Sequence, residues 1–255
     1  MPGVNRNDLH EVAVLLPPTK AEQEAIAEAL SDADALIESL EQLLAKKRHI
    51  KQGGMQELLT GKKRLPGFFG EWMQKPLAEG IRLSSGIHVL ARHCNTEGHG
   101  IPYITGPADF PDGIIQHTKY TTQPGTMCGA NDILVTVKGS GAGSLVRSDA
   151  DYCISRQLMA IRVQQWDAQF VFFSLLQDTS LLGAATTGLI PGLSRGDILH
   201  KLIFLPPTSA EQTAIATVLS DMDAELTALE TKLTKARAIK QGMMQELLTG
   251  RVRLI

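Results

Sequence analysis

The chain has 255 residues, of which 43% are hydrophobic, and its formal net charge at pH 7 is −2. This length and composition favour one sizeable folded domain with extended helical elements and exclude a disordered chain. No apolar run approaches the roughly 18 residues of a membrane-spanning helix, and the first residues show no signal-peptide pattern. The three cysteines are odd in number and widely spaced, so reduced thiols and a cytoplasmic location are expected.

The first predicted element is a long helix. A Pro-Pro-Thr sequence ends at Thr19, and Thr19 with Glu22 forms the T-x-x-E pattern of a capping box. The apolar residues then recur in alternating steps of four and three, an a/d heptad seam along which two helices supercoil. Gly61 follows the last apolar position, as a helix stop commonly does. The pattern predicts a helix of about 40 residues, or ~60 Å. Its seam residues are Ile26, Leu30, Ala33, Ile37, Leu40 and Leu44.

Basic residues cluster at positions 46–48 and 62–64, within and just after this helix. A solvated helix face is the simpler interpretation, because cations near a helix C-terminus are favourable. Contact with phosphate groups is the alternative interpretation.

The middle of the chain, residues 66–190, is rich in short β-type runs separated by glycine and proline turns. Strands are predicted in IPYIT (101–105), DILVTV (132–137) and LMAIRV (158–163), and a helix over 170–182. The pattern indicates an α+β domain dominated by irregular antiparallel strands. The segment has eight Lys and Arg residues against ten Asp and Glu residues, so it lacks the basic character usual for a DNA binder.

A glycine-rich loop, Gly139-Ser140-Gly141-Ala142-Gly143, follows the second of these strands. A nucleotide-binding loop would be followed by a helix, whereas another strand-like run follows here. A tight hairpin loop is therefore the favoured interpretation. Lys138, Ser140 and Arg147 still place donors on or beside the loop, which phosphate oxygens or base edges could accept.

Metal-binding and catalytic motifs are the next possibility. His93, Cys94 and His99 resemble zinc ligands, but a structural zinc site needs four ligands and no second pair is evident. The sequence contains no P-loop, no Asn/Asp-Pro-Pro-aromatic methyltransferase motif and no H-E-x-x-H motif. We expect no metal, no cofactor and no catalytic centre.

The C-terminal part of the chain repeats the N-terminal part. Residues 191–254 align with residues 2–65 at an offset of 189, with 37 identities in 64 positions and no gap. Thr208 and Glu211 begin the second helix and Gly250 follows its last apolar position. The predicted seam is Ile215, Leu219, Met222, Leu226, Leu229 and Leu233. The two helices are predicted to pair as an antiparallel coiled coil; two ordinary core helices are the alternative, but ~40 residues exceed the usual globular length.

An R-x-D pattern recurs ahead of both helices. Arg6 with Asp8 aligns with Arg195 and Asp197. We expect a structural role for these residues, which is to fix the entry of the chain into each helix.

These motifs together resemble the specificity (S) subunit of type I restriction–modification systems. In both repeats the matching residues are PGxxRxD followed by Leu or Ile, LPPTxxEQxAIA, SDxDA and IKQGxMQELLTG. In the middle they are IPYITGPADF (101–110), NDILVTVKGSGAGS (131–144) and CISRQLMAI (153–161).

The resemblance implies a half-length S subunit of the α+β class. One globular target recognition domain of irregular antiparallel strands with some helix is flanked by two long heptad helices that pair as an antiparallel coiled coil. The expected segments are the tail of a preceding recognition-domain-like segment (1–19), the first helix (20–62), the recognition domain (63–207), the second helix (208–250) and a tail (251–255).

The resemblance further implies a non-catalytic subunit that reads one half of a bipartite site in double-stranded DNA. Its helices would dock methyltransferase (M) subunits, with restriction (R) subunits as an optional further component. Because the two repeats are nearly identical, two copies are expected to form a homodimer through these helices and read a palindromic site. A coiled-coil interaction scaffold without a DNA role is the alternative, and the acidic balance of the middle favours it.

Nine residues of the recognition domain are expected to contact DNA, because their side chains offer donors and acceptors to phosphates and base edges. An ordinary loop or surface role is the alternative for each of them. They are Arg92, Tyr103, Thr105, Lys119, Lys138, Ser140, Arg147, Arg156 and Gln157.

Overall fold

The structure, a computed structural model, describes residues 15–139, 141–178 and 192–254. The chain divides into two compact units, one formed by residues 1–51 with 221–255 and the other by residues 52–220. The helices of the described residues are α1 (Lys20–Leu58), α2 (Ala168–Gln177), α3 (Arg195–Leu199) and α4 (Ser209–Leu247). Within those residues, no helix combines the length and apolar character needed to cross a membrane.

Threonines start the two long helices, as the sequence predicts. The Thr19 hydroxyl accepts a hydrogen bond from the Glu22 backbone N–H at 3.3 Å. Thr208 does the same for the Glu211 N–H, also at 3.3 Å. These contacts satisfy one of the backbone donors that lack an intrahelical partner at each helix start.

Glycines end the two long helices. Gly61 and Gly250 have φ of 69° and 71°, in the left-handed region that closes a helix and that glycine adopts without strain. The regular helices therefore end at Leu58 and Leu247, a few residues before the glycines rather than at the predicted limits of 62 and 250.

In the unit formed by residues 1–51 and 221–255, α1 and α4 run antiparallel to each other. Five ion pairs join them among the described residues, and low-numbered residues of α1 pair with high-numbered residues of α4, from Asp34 with Lys240 to Lys51 with Asp223. The pairs are Asp34–Lys240, Glu41–Arg237 (2.5 Å), Lys47–Glu225 (2.6 Å), Arg48–Glu230 (2.7 Å) and Lys51–Asp223. Lys47 and Arg48, for which the sequence favours a solvated face, thus contact the opposite helix.

The heptad seam is the least exposed part of these helices. Ile26 and Leu44 of α1 and Leu229 and Leu233 of α4 are buried. The remaining seam positions of this unit are half-buried, while most positions between them are exposed. An apolar stripe of this kind supplies the hydrophobic contact that holds long helices together.

The interhelical ion pairs follow the internal repeat. When each residue is replaced by its equivalent in the other repeat, 189 positions away, one ion pair becomes another. The residue type that lies on α1 in the first pair then lies on α4 in the second. The related pairs are Asp34–Lys240 with Asp223–Lys51, and Glu41–Arg237 with Glu230–Arg48. Identical residues of the two repeats therefore make equivalent contacts on opposite helices, as a local two-fold axis between the helices requires. Each exposed pair contributes only about 0–1 kcal/mol, so together they specify register and direction more than stability.

Each long helix also begins with a buried glutamate that pairs with an arginine just beyond the end of the other long helix. Arg253 donates to Glu22 through Nε and Nη2 at 2.5 and 2.7 Å. In the other unit, Arg64 donates to Glu211 in the same way and at the same distances. Hydrogen bonds from Arg253 lower the pKa of the Glu22 carboxyl below its usual range. The carboxylates of the two predicted capping boxes are thus held by arginines.

In the unit formed by residues 52–220, the described residues form three small sheets. Their strand orders are β1-β11, β2-β10-β7-β8 and β3-β5-β4-β9-β6. The strands are β1 (Met73–Pro76), β2 (Ile81–Ser85), β3 (Cys94–Asn95), β4 (Ile101–Ile104), β5 (Tyr120–Thr121), β6 (Thr126–Cys128), β7 (Ile133–Thr136), β8 (Leu145–Arg147), β9 (Tyr152–Ile154), β10 (Leu158–Val163) and β11 (Leu202–Leu205).

The predicted strands correspond to β4, β7 and β10, and the predicted helix over 170–182 corresponds to α2; residues 179–182 lie outside the described part. The described strand pairs are mostly antiparallel, as the sequence indicates, but one of them is parallel. β4 and β9 pair in parallel, with Tyr103 opposite Cys153. Parallel pairing needs a long connection, and most of the strand-rich segment lies between these two strands.

We predict that Arg64→Ala destabilises the protein more than Arg253→Ala, although the two arginines occupy equivalent repeat positions. Arg64 is 25% exposed and its Glu211 partner is fully buried. Removing one partner of a buried ion pair costs about 3 kcal/mol or more. The Arg253 side chain is 53% exposed, so its loss should cost less. Urea unfolding of both variants measures the difference, and equal losses would contradict the prediction.

Candidate functional site

A cavity of about 400 Å³ opens where β4 and β9 end side by side in the unit formed by residues 52–220. Five of the nine residues predicted to contact DNA line it: Tyr103, Thr105, Lys119, Arg156 and Gln157. His88, Val89, Ala91, Cys94 and Ser155 complete the lining. The structure therefore gathers residues that are up to 54 positions apart in the sequence (103 to 157) at one opening.

Backbone contacts between strand ends set the shape of this cavity. The Ser155 N–H donates to the Ile104 carbonyl at 3.0 Å, and the Ser155 hydroxyl donates to the Thr105 carbonyl at 2.5 Å. The Tyr103 N–H donates to the Lys119 carbonyl at 2.8 Å. Because these hydrogen bonds join three separate segments, they hold the backbone positions from which the side chains on the rim extend. Such preorganisation favours specific recognition.

Asp109 stabilises the loop that follows β4. Its buried carboxylate accepts from the Thr105 backbone N–H and from the Thr105 hydroxyl, both at 2.6 Å. The Gly106 N–H adds a longer contact of 3.3 Å. Because the Thr105 hydroxyl proton is engaged, this hydroxyl presents acceptor lone pairs to a ligand.

Two glycines permit close approach around the cavity. A Cβ on Gly86 would lie 2.0 Å from the Ser155 carbonyl oxygen, so only glycine lets the chain before His88 pass over this strand end. A Cβ on Gly106 would lie 2.4 Å from the Gln157 side-chain oxygen. The absence of a side chain at Gly106 therefore leaves room for the amide of Gln157.

Internal hydrogen bonds engage most of the acidic side chains of residues 66–190. Six of the carboxylates accept hydrogen bonds inside the unit: Asp109, Asp132, Asp149, Asp151, Asp167 and Asp178. The strongest arrangement is the bidentate pair of Arg162 with Asp132, with both distances at 2.8 Å, which raises the pKa of the Arg162 guanidinium.

The cations of the same segment are distributed differently. Lys75 pairs with Glu79, and Arg162 pairs with Asp132. Within the described residues, the other six form no ion pair: Arg82, Arg92, Lys119, Lys138, Arg147 and Arg156. All six are exposed. Although the net charge of the segment is negative, these six exposed cations are available to phosphate oxygens.

Tyr103 and Cys153 form an apolar wall beside the cavity. Tyr103 is almost completely buried, and its hydroxyl accepts from the Val89 N–H at 3.4 Å. Burial raises the pKa of the Tyr103 phenol and of the Cys153 thiol. Both groups are therefore neutral at physiological pH, and a thiol of raised pKa is a poor nucleophile. Tyr103 shapes the wall and exposes little surface to a ligand.

Three other predicted contacts, Arg92, Lys138 and Arg147, do not line the cavity. Arg92 is exposed on the turn that precedes β3, and its Nε donates to His93 Nε2 at 3.0 Å. Lys138 follows β7 and Arg147 lies on β8. Ser140 lies outside the described residues.

The glycine-rich loop joins β7 to β8 as a hairpin, as the sequence favours. The Gly143 N–H donates to the Thr136 carbonyl at 2.8 Å, and the two strands are antiparallel. A strand and not a helix follows the loop, so the phosphate-binding helix start of a nucleotide site does not occur here.

His88, Cys94 and Ser155 line the cavity but are not among the nine predicted residues. Ser155 immediately precedes Arg156. The close contact of Gly86 with Ser155 places His88 at the rim of the cavity. In the sequence, the only signal for this close approach is the isolated glycine at position 86. In the described part of the chain, no three His, Cys, Asp or Glu side chains converge as metal ligands would.

Comparison with known families matches the strand-rich part of the chain and part of α4. Residues 71–237 match the family described as type I restriction modification DNA specificity domain. A Methanocaldococcus jannaschii protein, named as a candidate type I restriction enzyme MjaX specificity subunit, is 26% identical over 266 residues. The match covers 99% of this chain and 62% of that protein, so the chain spans less than two thirds of its relative.

Solved structures share the fold. The crystal structure of an HsdS subunit from Thermoanaerobacter tengcongensis has a TM-score of 0.61 at 22% identity, over 98% of this chain and 64% of that one. A type I restriction–modification S subunit from M. genitalium has a TM-score of 0.70 at 19% identity, over 96% and 65%. At these identities the similarity establishes the arrangement of helices and strands.

We predict that Lys119→Ala and Arg156→Ala each weaken binding to double-stranded DNA. Because both cations stand at the cavity without an ion-pair partner in the described residues, each loss should lower affinity about tenfold at moderate salt. A phosphate contact also reduces the slope of log K against log salt by about 1. Fluorescence anisotropy over a salt series measures both quantities.

Lys75→Ala is the matched control, because Lys75 carries the same charge in the same unit but pairs with Glu79. It should bind DNA like the parent chain. An equal loss for all three variants would show that net charge, and not the cavity, governs binding.

Proposed function

Because the chain belongs to the type I restriction–modification DNA specificity family, we propose that it is the sequence-recognition subunit of such a complex. The observation that carries the proposal lies inside the family-matched segment. There, Lys119, Arg156 and Gln157 meet at one cavity whose strand ends are joined by hydrogen bonds. Arginine and glutamine side chains offer the bidentate donors and acceptors that distinguish bases in the major groove.

We propose that residues 63–207 form one target recognition domain, which reads one half of a bipartite DNA site. The three loops that follow β2, β4 and β9 meet at the cavity and would carry the specificity. A given loop sequence then selects a half-site, while the hydrogen bonds among Thr105, Asp109 and Ser155 hold the loops in place.

We further propose that α1 and α4 form an antiparallel coiled coil that docks methyltransferase (M) subunits, to which restriction (R) subunits can be added. Three exposed apolar residues lie one heptad apart on α1: Leu36, Leu43 and Ile50. At the equivalent positions of α4 stand Glu225, Lys232 and Ile239. A stripe of period seven outside the buried seam is suited to a further helix.

The methylation and cleavage chemistry would belong to the partner subunits. Burial raises the pKa of two of the three thiols, Cys128 and Cys153, so neither is an activated nucleophile. A non-catalytic role is therefore proposed for this chain.

Assembly of two copies through the helices remains a prediction. Within one chain the seams of α1 and α4 are already buried or half-buried where the ion pairs join them. A homodimer that uses the seam must therefore exchange helices between chains. Light scattering of the chain with its M subunits distinguishes one copy from two, and a strictly single copy would remove the palindromic-site prediction.

The alternative function, an interaction scaffold without DNA binding, rests on the acidic balance of the middle segment. The acidic balance is weak support for this alternative, because six of the carboxylates accept internal hydrogen bonds while six cations form no ion pair in the described residues. The DNA-reading function is therefore preferred.

We predict that deleting the gene for this chain removes one bipartite methylated-adenine motif from the DNA of its host. Long-read sequencing that detects methylated bases measures the change, and restoring the gene should restore the motif. An unchanged methylome would refute the specificity role in that host.

We predict that Leu36→Glu combined with Leu43→Lys weakens binding of M subunits at least tenfold, because each change removes apolar contact area. These are the residues that α4 carries at the equivalent positions, so the helix should be retained. Gln42→Thr is the control, since it also installs an α4 residue at an exposed neighbouring position. Calorimetric titration with M subunits measures affinity, and unchanged binding of the double variant would exclude this stripe.

A further inference from the structure

One carboxylate oxygen of Asp109 determines how the Thr105 hydroxyl can form hydrogen bonds. Asp109 Oδ2 accepts from the backbone N–H groups of Thr105, at 2.6 Å, and of Gly106, at 3.3 Å. A backbone N–H can only donate, so this oxygen acts as an acceptor. The Thr105 hydroxyl lies 2.6 Å from the same oxygen, and it therefore donates its single proton there. The lone pairs of Thr105 Oγ1 are left for another donor.

Burial of Asp109 makes this direction of the hydrogen bond persistent. The residue is only 8% exposed, and a buried carboxylate that loses a donor is strongly disfavoured. Its backbone is also held, because the Asp109 N–H donates to the Gly106 carbonyl at 3.0 Å and the Gln116 N–H donates to the Asp109 carbonyl at 2.7 Å. The Thr105 hydroxyl is thus kept as an acceptor toward any ligand in the cavity.

Ser155 presents a second hydroxyl whose proton is used inside the protein. It donates to the Thr105 carbonyl at 2.5 Å, and its Oγ accepts from the Gln157 backbone N–H at 3.1 Å. Of the two hydroxyls, that of Thr105 is the more accessible, because Thr105 is half-buried and Ser155 is buried. In the part of the chain that the structure describes, no group donates to Thr105 Oγ1. This point of the cavity therefore offers a free acceptor and no free hydroxyl proton.

The major-groove edges of the bases differ in the same property. Adenine N6 and cytosine N4 carry an amino proton that is free outside the base pair, whereas guanine O6 and thymine O4 are acceptors. We propose that Thr105 selects adenine or cytosine, at one base pair, on the strand that faces the cavity. Asp109 is the positioning residue that sets this preference. The proposal rests on the proposed function, because its ligand is the DNA half-site.

The other polar side chains of the cavity do not supply this selection. Lys119 and Arg156 can only donate, so they favour phosphate oxygens and the acceptor atoms of bases. The Gln157 side-chain amide carries both a donor and an acceptor and does not by itself exclude a keto base. Recognition of an amino group requires an acceptor on the protein, and Thr105 is the side chain whose acceptor role the surrounding hydrogen bonds fix.

The test is a double-mutant cycle between Thr105 and single amino groups of the DNA. The full chain with its M subunits is titrated by anisotropy against a labelled duplex that carries the motif found in the methylome of the host. Each adenine of the motif is replaced in turn by purine, and each cytosine by 2-pyrimidinone, which both lack the exocyclic amino group. We expect one replacement to weaken binding by the parent chain about three- to tenfold, the effect of one hydrogen bond. The same replacement should leave binding by Thr105→Val unchanged.

Conservative variants separate base selection from a merely structural role. Thr105→Ser keeps the hydroxyl, and Asp109→Asn keeps an acceptor oxygen for the hydroxyl and the two N–H groups, so both should respond to the replacement like the parent chain. Asp109→Ala frees the hydroxyl proton and should lose the response, while circular dichroism verifies its fold. A merely structural Asp109 would weaken binding to both duplexes equally and leave their affinity ratio unchanged.

The proposal is overturned if the parent chain and Thr105→Val respond equally to every replacement, or if the parent chain responds to none. A folded Asp109→Ala variant with the parent's affinity ratio would remove the role of Asp109. Preference for the motif duplex over a scrambled duplex is measured in the same titrations. If that preference is present in any of these cases, the proposed function stands and only the Thr105 assignment is rejected; its absence would reject the function and the assignment together.

Discussion

The bidentate pairing of each helix-start glutamate with an arginine of the other repeat is the interaction on which both ends of the helix pair depend. A buried carboxylate is costly unless a geometrically matched cation satisfies both oxygens. Glu211 meets that condition only if the chain that leaves α1 returns Arg64 to the start of α4. Glu22 sets the same condition on Arg253. Each contact therefore constrains where the other repeat must lie, and the antiparallel direction of the helices follows.

A domain of net negative charge can still present a cationic surface, because the placement of charges matters more than their sum. Asp132 is held by Arg162, and Asp109 is buried under backbone amides. Neither contributes an exposed negative charge near the cavity opening. Lys119 and Arg156 extend from loops and have no carboxylate partner in the described residues. Charge counting over a segment misses this separation, whereas the folded arrangement makes it explicit.

The sequence predicts those features that local periodicity encodes. The four-three spacing gives both long helices, and the β-type run at 158–163 gives β10 with its observed limits. The helix starts at Thr19 and Thr208 are equally local. Features that join distant segments could not be predicted: the crossed Arg64–Glu211 contact spans 147 positions, and the parallel β4–β9 pair depends on a long connection. The cavity belongs to the same class, since three separate loops build it.

Identical residues in the two repeats show directly how far surroundings override sequence. Leu59 and Leu248 follow the same MQEL sequence and precede the same Thr-Gly stop, yet one is buried and the other half exposed. Local propensity cannot account for the difference, because it is the same in both copies. The surroundings differ instead: a Cβ on Gly61 would meet the side chains of Trp72 and Phe204, whereas a Cβ on Gly250 would have no atom within 4 Å.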